Sequence, residues 1–212
     1  VELTITQKRY YRALLEKNRK FLCRGTKGRV QLGNILMELR KNCNHPYILQ
    51  GGREGILADL QINRDEMTKV VNDANDKALE DPLVSSSGKF VLLHKLIPKL
   101  LAEKSKCLIF SQFKSTLNVI QEYILKYHGL IYERVDGDLQ GPLRQAAFTR
   151  FNEKKAVDPK TGKYVDNTSM VFLLSTRAGG VGVNLQAANT GIGYGLHVSV
   201  CHWMIVFIFG FL

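Results

Sequence analysis

The chain has 212 residues, and a hydrophobic fraction of 45% is ample for a folded core, as one large domain or a domain with an extension. Thirty Lys and Arg against nineteen Asp and Glu give a formal charge of +11, which favours a polyanionic partner, nucleic acid first, with an acidic protein surface fitting as well. The basic residues recur over 8–12, 17–29, 95–106 and 144–163, which excludes one disordered basic arm and fits a charged face or groove.

Thr4 caps the first predicted helix, whose apolar positions include Tyr10, Ala13, Leu14, Phe21 and Leu22 at three- and four-residue spacing. A helix start in this place leaves no apolar secretory segment at the opening, and a beginning at Val1 reads as a fragment of a longer chain. A Gly-Thr-Lys-Gly break separates this helix from a second amphipathic one over about 30–43. Asn44, His45 and Pro46 end it, because a proline disfavours helix in the residue before it, and the two helices are expected to pack together. Cys43 and His45 invite a metal reading, but no second ligand pair follows at a suitable interval, so no metal site is predicted. The cysteines at 23, 43, 107 and 201 lack CxxC spacing and fit a reducing compartment, with Cys107 reading as a small buried hydrophobe. Residues 50–87 are polar and mixed, with Gly51, Gly52, Gly55 and three serines at the end, and read as a connector with short helical turns, poorly ordered in part.

From there the pattern changes to a helix over 89–101, a strand over 107–110, a helix over 116–127, a strand over 132–135 and a helix over 141–151. A charged loop over 152–168 leads to a third strand over 171–175. Thr161, Gly162 and Lys163 are not a phosphate-binding P-loop, since the GxxxxGK spacing and a buried strand leading into it are both missing. The third strand is apolar through Leu174, as in a parallel strand covered on both faces. It runs into a turn with glycines at 179, 180 and 182 and one arginine, Arg177, at the strand end where open α/β sheets bind ligands. Glycines there allow close backbone approach to a phosphate or sugar, and Arg177 can fork onto a phosphate. By itself the turn also fits an ordinary strand-to-helix connection. No internal repeat is visible, and composition with periodicity supports a three-layer α/β domain.

The string LLSTRAGGVGVNLQAANT resembles the fifth helicase motif of the Swi/Snf-like ATPases, the chromatin-remodelling branch of superfamily-two helicase-related motors. Three further blocks stand in the expected order: KNCNHPYIL over 41–49, KCLIFSQF over 106–113 and YERVDGDLQGPLRQAAFTRFN over 132–152. VELTITQKRYYRALLEKN at the start and GGREGIL after the NHPY block look most like the chromodomain-helicase-DNA-binding subfamily. The resemblance covers roughly 1–190. It implies a helical lobe-joining segment over 1–49, the connector over 50–87 and an incomplete RecA-like helicase C-terminal lobe over 88–190; an apolar tail over 191–212 follows outside it.

Carried onto this chain, the resemblance assigns Ser111, Gln112, Arg134, Ser175, Thr176 and Arg177 to the DNA backbone. It assigns Gly180, Gly182 and Asn184 to the nucleotide. Asp136, beside Gly137, reads as a turn or network residue that orients nearby donors. Arg144 fits a carboxylate partner as well as DNA. Lys89 matches the family pattern, although a lysine at a helix start is usually a solvated cation.

The function implied is that of the second motor lobe of an ATP-dependent, DNA-translocating remodeller that slides or remodels nucleosomes in the nucleus. Its partners would be duplex DNA, nucleosomes and the first motor lobe, which would hold most of the ATP and Mg2+. Walker A and DExH sequences are missing, so this chain alone is expected not to turn over ATP. The family pattern calls for a continuing strand after Asn189 and Thr190, an acidic-Trp-Asn-Pro segment, and a QxxxRxxR motif carrying the arginine finger. None is recognisable in GIGYGLHVSVCHWMIVFIFGFL, so no catalytic residue is assigned. That tail fits a membrane span, a buried strand or helix, or a departure of the coding sequence from the family pattern; the last is expected, and no membrane partner is. A non-catalytic DNA- or protein-binding module and a repair-type translocase or helicase of a neighbouring branch are the alternative functions.

Overall fold

The computed structural model describes residues 1–24, 33–62, 80–153, 156–157, 164–165, 169–176, 185–195 and 204–208. They fall into two compact units, one over residues 1–95 and one built from residue 96 onward.

The first unit is helical. Its α1 (Ile5–Leu15) opens on a capping box: Gln7 N–H donates to Thr4 Oγ1 at 3.2 Å and Thr4 N–H donates to Gln7 Oε1 at 3.1 Å. The single helix predicted to run on to Leu22 is interrupted. Lys17 turns left-handed at φ 51°, Lys17 N–H donates to Leu14 O (3.2 Å) and Asn18 N–H donates to Ala13 O (2.9 Å). Asn18 then caps a short α2 (Arg19–Leu22), and the bend brings Phe21 edge-on to Tyr10 at 5.0 Å. The second predicted helix is α3 (Ile35–Asn44), which starts where the Asn34 side chain accepts from Met37 N–H and ends at His45 before a 3-10 turn, Pro46–Ile48.

The α1 and α3 helices do pack, through reciprocal bonds between side chain and backbone. Gln7 Nε2 donates to Asn42 O and Asn42 Nδ2 donates to Gln7 O, each at 2.9 Å. Around this pair Tyr10, Leu14, Leu22, Leu39, Leu49 and Ile56 form an apolar cluster. His45 is fully buried; its Nδ1 accepts from Tyr47 N–H (3.1 Å), so the proton sits on Nε2, which donates to Leu83 O (2.9 Å). Burial pushes its pKa down to about 4, outweighing the Leu83 bond.

Both ends of the segment expected to be a connector belong to this unit. One end is α4 (Gly52–Ile62), whose Ile56 joins the apolar cluster. A Cβ added at Gly52 would lie 2.1 Å from Pro46 O, so only glycine fits there. The other end is α5 (Pro82–Ser85), capped by Asp81, followed by polar groups that return to the helices. Ser87 Oγ donates to Asn44 O (2.8 Å), Thr4 Oγ1 to Ser86 O (2.9 Å) and Gly88 N–H to Gln7 Oε1 (3.1 Å). Serine spacing read as loop chemistry because its partners lie some 40 or 80 residues away along the chain. The next helix, α6 (Gly88–Ala102), continues through Pro98.

The second unit is the α/β domain. In chain order it contains β1 (Cys107–Ser111), α7 (Lys114–His128), β2 (Tyr132–Val135), α8 (Gly141–Asn152), a small β3–β4 ladder (Ala156–Val157 with Tyr164–Val165), β5 (Val171–Ser175), β6 (Thr190–Tyr194) and β7 (Met204–Ile208). The main sheet has the order β2-β5-β1-β6-β7; its first four strands are parallel and β7 runs antiparallel to β6. Phe172 stacks in tilted contact with Phe148 (5.3 Å) and Phe151 (5.0 Å) of α8, within a core that includes Leu108, Val135 and Leu174. Lys106 Nζ donates to the carbonyls of Phe151 (2.6 Å) and Glu153 (3.2 Å) and so closes the end of α8, with partial burial lowering its pKa.

The sheet runs past the boundary expected at Thr190. Residues 190–194 are the fourth parallel strand, paired with β1 along Cys107↔Thr190 to Ser111↔Tyr194, so the continuing strand judged missing is present. Residues 204–208 pair with it in turn, which gives two pieces of the apolar tail a place in the fold as strands. The sequence of β6, TGIGY, lacks an apolar run, yet all five of its residues are buried. Among the described residues no helix is long and apolar enough to cross a membrane.

Candidate nucleic-acid interface

Parallel pairing puts the carboxyl ends of β1, β2 and β5 on one edge of the sheet. Ser111 is in register with Ser175, and Val135 with Leu174. The chain leaves that edge at three places: Ser111–Gln112–Phe113, Arg134 to Asp138, and Ser175–Thr176. The amino ends of α7 and α8 follow directly after the first two exits, and neither has a side-chain cap bond from a described residue, which leaves first-turn N–H groups to an outside acceptor.

The expected DNA-contact residues take different places here. Ser111 is wholly buried and its Oγ accepts from Phe113 N–H at 3.4 Å, so it shapes the turn that presents exposed Gln112. Ser175 is 9% exposed at the end of β5, and Thr176, half-buried, is the last described residue before the glycine turn. Arg177, Gly180, Gly182 and Asn184 lie outside the described residues.

Arg134, expected at a phosphate, has its guanidinium held by the protein. Nε and Nη2 donate to Asp136 Oδ2 (3.1 and 2.8 Å), Nη1 to Gln121 Oε1 (2.6 Å) and Nη2 to Asn118 Oδ1 (2.7 Å). It ties β2 to one face of α7, where Asn118 and Gln121 stand three residues apart. Asp136 has the network role expected of it: its other oxygen accepts from Asp138 N–H at 3.1 Å, an Asx-turn. Burial works to raise the Asp136 carboxyl, but the Asp138 backbone bond, the Arg134 bonds and charge, and nearby Lys114 together hold it below its ordinary value. Lys114, at the start of α7, pairs with Asp138. Sequence reading missed Asn118, Gln121, Lys114 and Asp138; the signal was the polar i, i+3 pair on one face of an amphipathic helix.

Arg144, in the first turn of α8, makes no ion pair with a described residue, and its Nε is shielded without a hydrogen-bond partner. Lys89 is not a solvated cation: it is 4% exposed and Nζ donates to Asn44 Oδ1 at 2.8 Å, within the helical unit.

Residues 88–204 match the helicase conserved C-terminal domain. The chain belongs to that family. Over 195 residues, 91% of its length, it is 44% identical to "Chromodomain-helicase-DNA-binding protein 9" of Homo sapiens and 45% identical to "Chromodomain-helicase-DNA-binding protein 8" of Homo sapiens. It spans only 6% and 7% of the lengths of those two relatives. Among solved structures, the "Sulfolobus solfataricus SWI2/SNF2 ATPase C-terminal domain" superposes with a TM-score of 0.56 at 21% identity, covering 91% of this chain and 68% of that one. The "C-terminal part of Fun30 ATPase domain" superposes with a TM-score of 0.58 at 24% identity, covering 91% and 72%. These likenesses establish the RecA-like lobe preceded by a helical segment.

Proposed function

We propose that this chain is the second motor lobe of an ATP-dependent, DNA-translocating chromatin remodeller that acts on nucleosomes in the nucleus. The observation that carries the reading is the alignment of three strand exits on one sheet edge, with Ser111 registered against Ser175 inside the fifth-motif string. A solved SWI2/SNF2 ATPase core in complex with dsDNA shares the fold at a TM-score of 0.56, which supports duplex DNA as the partner. On this reading Gln112, Ser175, Thr176 and Arg177 meet the sugar-phosphate backbone, while Ser111 and Arg134 hold the turns that present them. Gly180, Gly182 and Asn184 face the nucleotide, on the side of the first lobe. ATP with Mg2+, held mainly by the first lobe, would supply the binding and hydrolysis energy for closing the lobes and shifting one grip relative to the other. This chain's share is to keep one edge gripped on the duplex while the lobes move.

Duplex binding, followed by fluorescence anisotropy across a salt series, tests this. The logarithm of affinity should fall linearly with that of salt concentration and be nearly independent of DNA sequence. Arg177→Ala should weaken binding to every duplex and reduce the salt slope by about one. Arg134→Ala should instead leave the slope unchanged and cost about 1–3 kcal/mol of stability through its unpaired partners. Sequence-selective, salt-insensitive binding overturns the reading.

A further inference from the structure

The outer face of α1 is not used by the helical core or by the strand-exit edge. Ile5, Lys8, Arg12 and Leu15 recur at three- and four-residue spacing along it, with Arg9 alongside. Its ends are apolar and uncovered, Ile5 at 67% and Leu15 at 56% exposure. The three cations between them are exposed and make no ion pair with a described residue, whereas nearby Arg24 is committed to Asp59 (3.1 Å) and lies 4.5 Å over the Phe21 ring. A shallow groove runs along each side of this ridge, of about 400 and 520 Å³, and both are lined in part by Lys8, Arg12 and Glu16.

We infer that this ridge docks an acidic amphipathic helix from a partner protein. The apolar ends call for apolar residues spaced along the partner, and the central cations call for carboxylates between them. The ridge is 11 residues long, about 16 Å at the rise of an α-helix, so three turns of partner cover it. Duplex DNA fits less well. Phosphates would leave Ile5 and Leu15 with no apolar contact.

The probe is a fluorescent synthetic helix with leucines near each end and glutamates between them, titrated with the 212-residue chain. A peptide of the same composition scrambled to abolish the face serves as control. Saturable binding of the patterned helix alone is expected. Arg12→Glu should weaken it about tenfold or more, and Ile5→Ser with Leu15→Ser about tenfold, with unchanged far-ultraviolet circular dichroism in both variants, because all three side chains are exposed. Excess duplex DNA should not displace the peptide. Equal binding of the scrambled peptide, displacement by DNA, full affinity in the double-serine variant, or no saturable binding each overturns the proposal. None of these results bears on DNA binding at the strand-exit edge, because the two surfaces share no residue.

Discussion

The helical unit and the sheet unit are stabilised in opposite ways. In the first, buried polar side chains reach backbone groups of distant segments: Gln7 to Asn42, Ser87 to Asn44, His45 to Leu83. In the second, strands β1, β5 and β6 are buried along almost their whole length and are positioned by ladder bonds and apolar packing. Polar locks are directional and fail when one partner is lost, since the other is left buried and unsatisfied. Apolar packing fails in proportion to the volume removed. A domain whose strand exits must stay in register gains from the second arrangement, and a unit whose segments meet across 35 or more residues gains its specificity from the first.

The largest break in this contrast is expected from Phe172→Ala, which empties the centre of the Phe148 and Phe151 cluster and should cost about 3–5 kcal/mol, read from the urea midpoint. Hydrogen exchange should report the loss in β1, β5 and α8 with little change in α1 and α3; uniform loss would merge the two units into one cooperative block.

Acid probes the other side. The folded pKa of His45, about 4, lies below its ordinary 6.5, so the unfolded chain takes up the proton first. The contribution of neutral His45 is complete above pH 6.5 and is lost as pH falls towards 4, to a total of about 3 kcal/mol at 1.36 kcal/mol per pH unit. Urea midpoints measured across that window should slope in the native chain and flatten in His45→Gln. An equal slope in the variant would place the acid sensitivity elsewhere.

The smallest effect should come from the end of α1. Lys17 stands at the left-handed position that glycine favours, so Lys17→Gly should stabilise by about 0.5–1 kcal/mol, seen as a higher urea midpoint. A lower midpoint would mean that chain entropy outweighs the relieved backbone.

Local pattern was sufficient wherever an element carries its own signal. Thr4 marks the start of α1, and the apolar run at 171–174 marks β5. It failed where the signal lies in neighbours. Lys17 breaks a helix that periodicity would continue, and Lys89 is buried at a position where lysine is usually solvated. Among the site residues, Arg134 was assigned to phosphate, and its sequence neighbourhood shows neither Asn118 nor Gln121, which hold its guanidinium.

The amino-acid sequence by itself determined the α/β alternation, the order of the strand exits and the family, because apolar periodicity and contiguous motif strings are short-range properties of the chain. Only the tertiary structure decided that TGIGY is the fourth parallel strand, that residues 80–87 complete the helical unit, and which cations are held inward and which are exposed on the ridge of α1. Burial and hydrogen-bond satisfaction depend on groups up to 84 residues apart, as in Asn189 to Ser105, and no local window contains both partners.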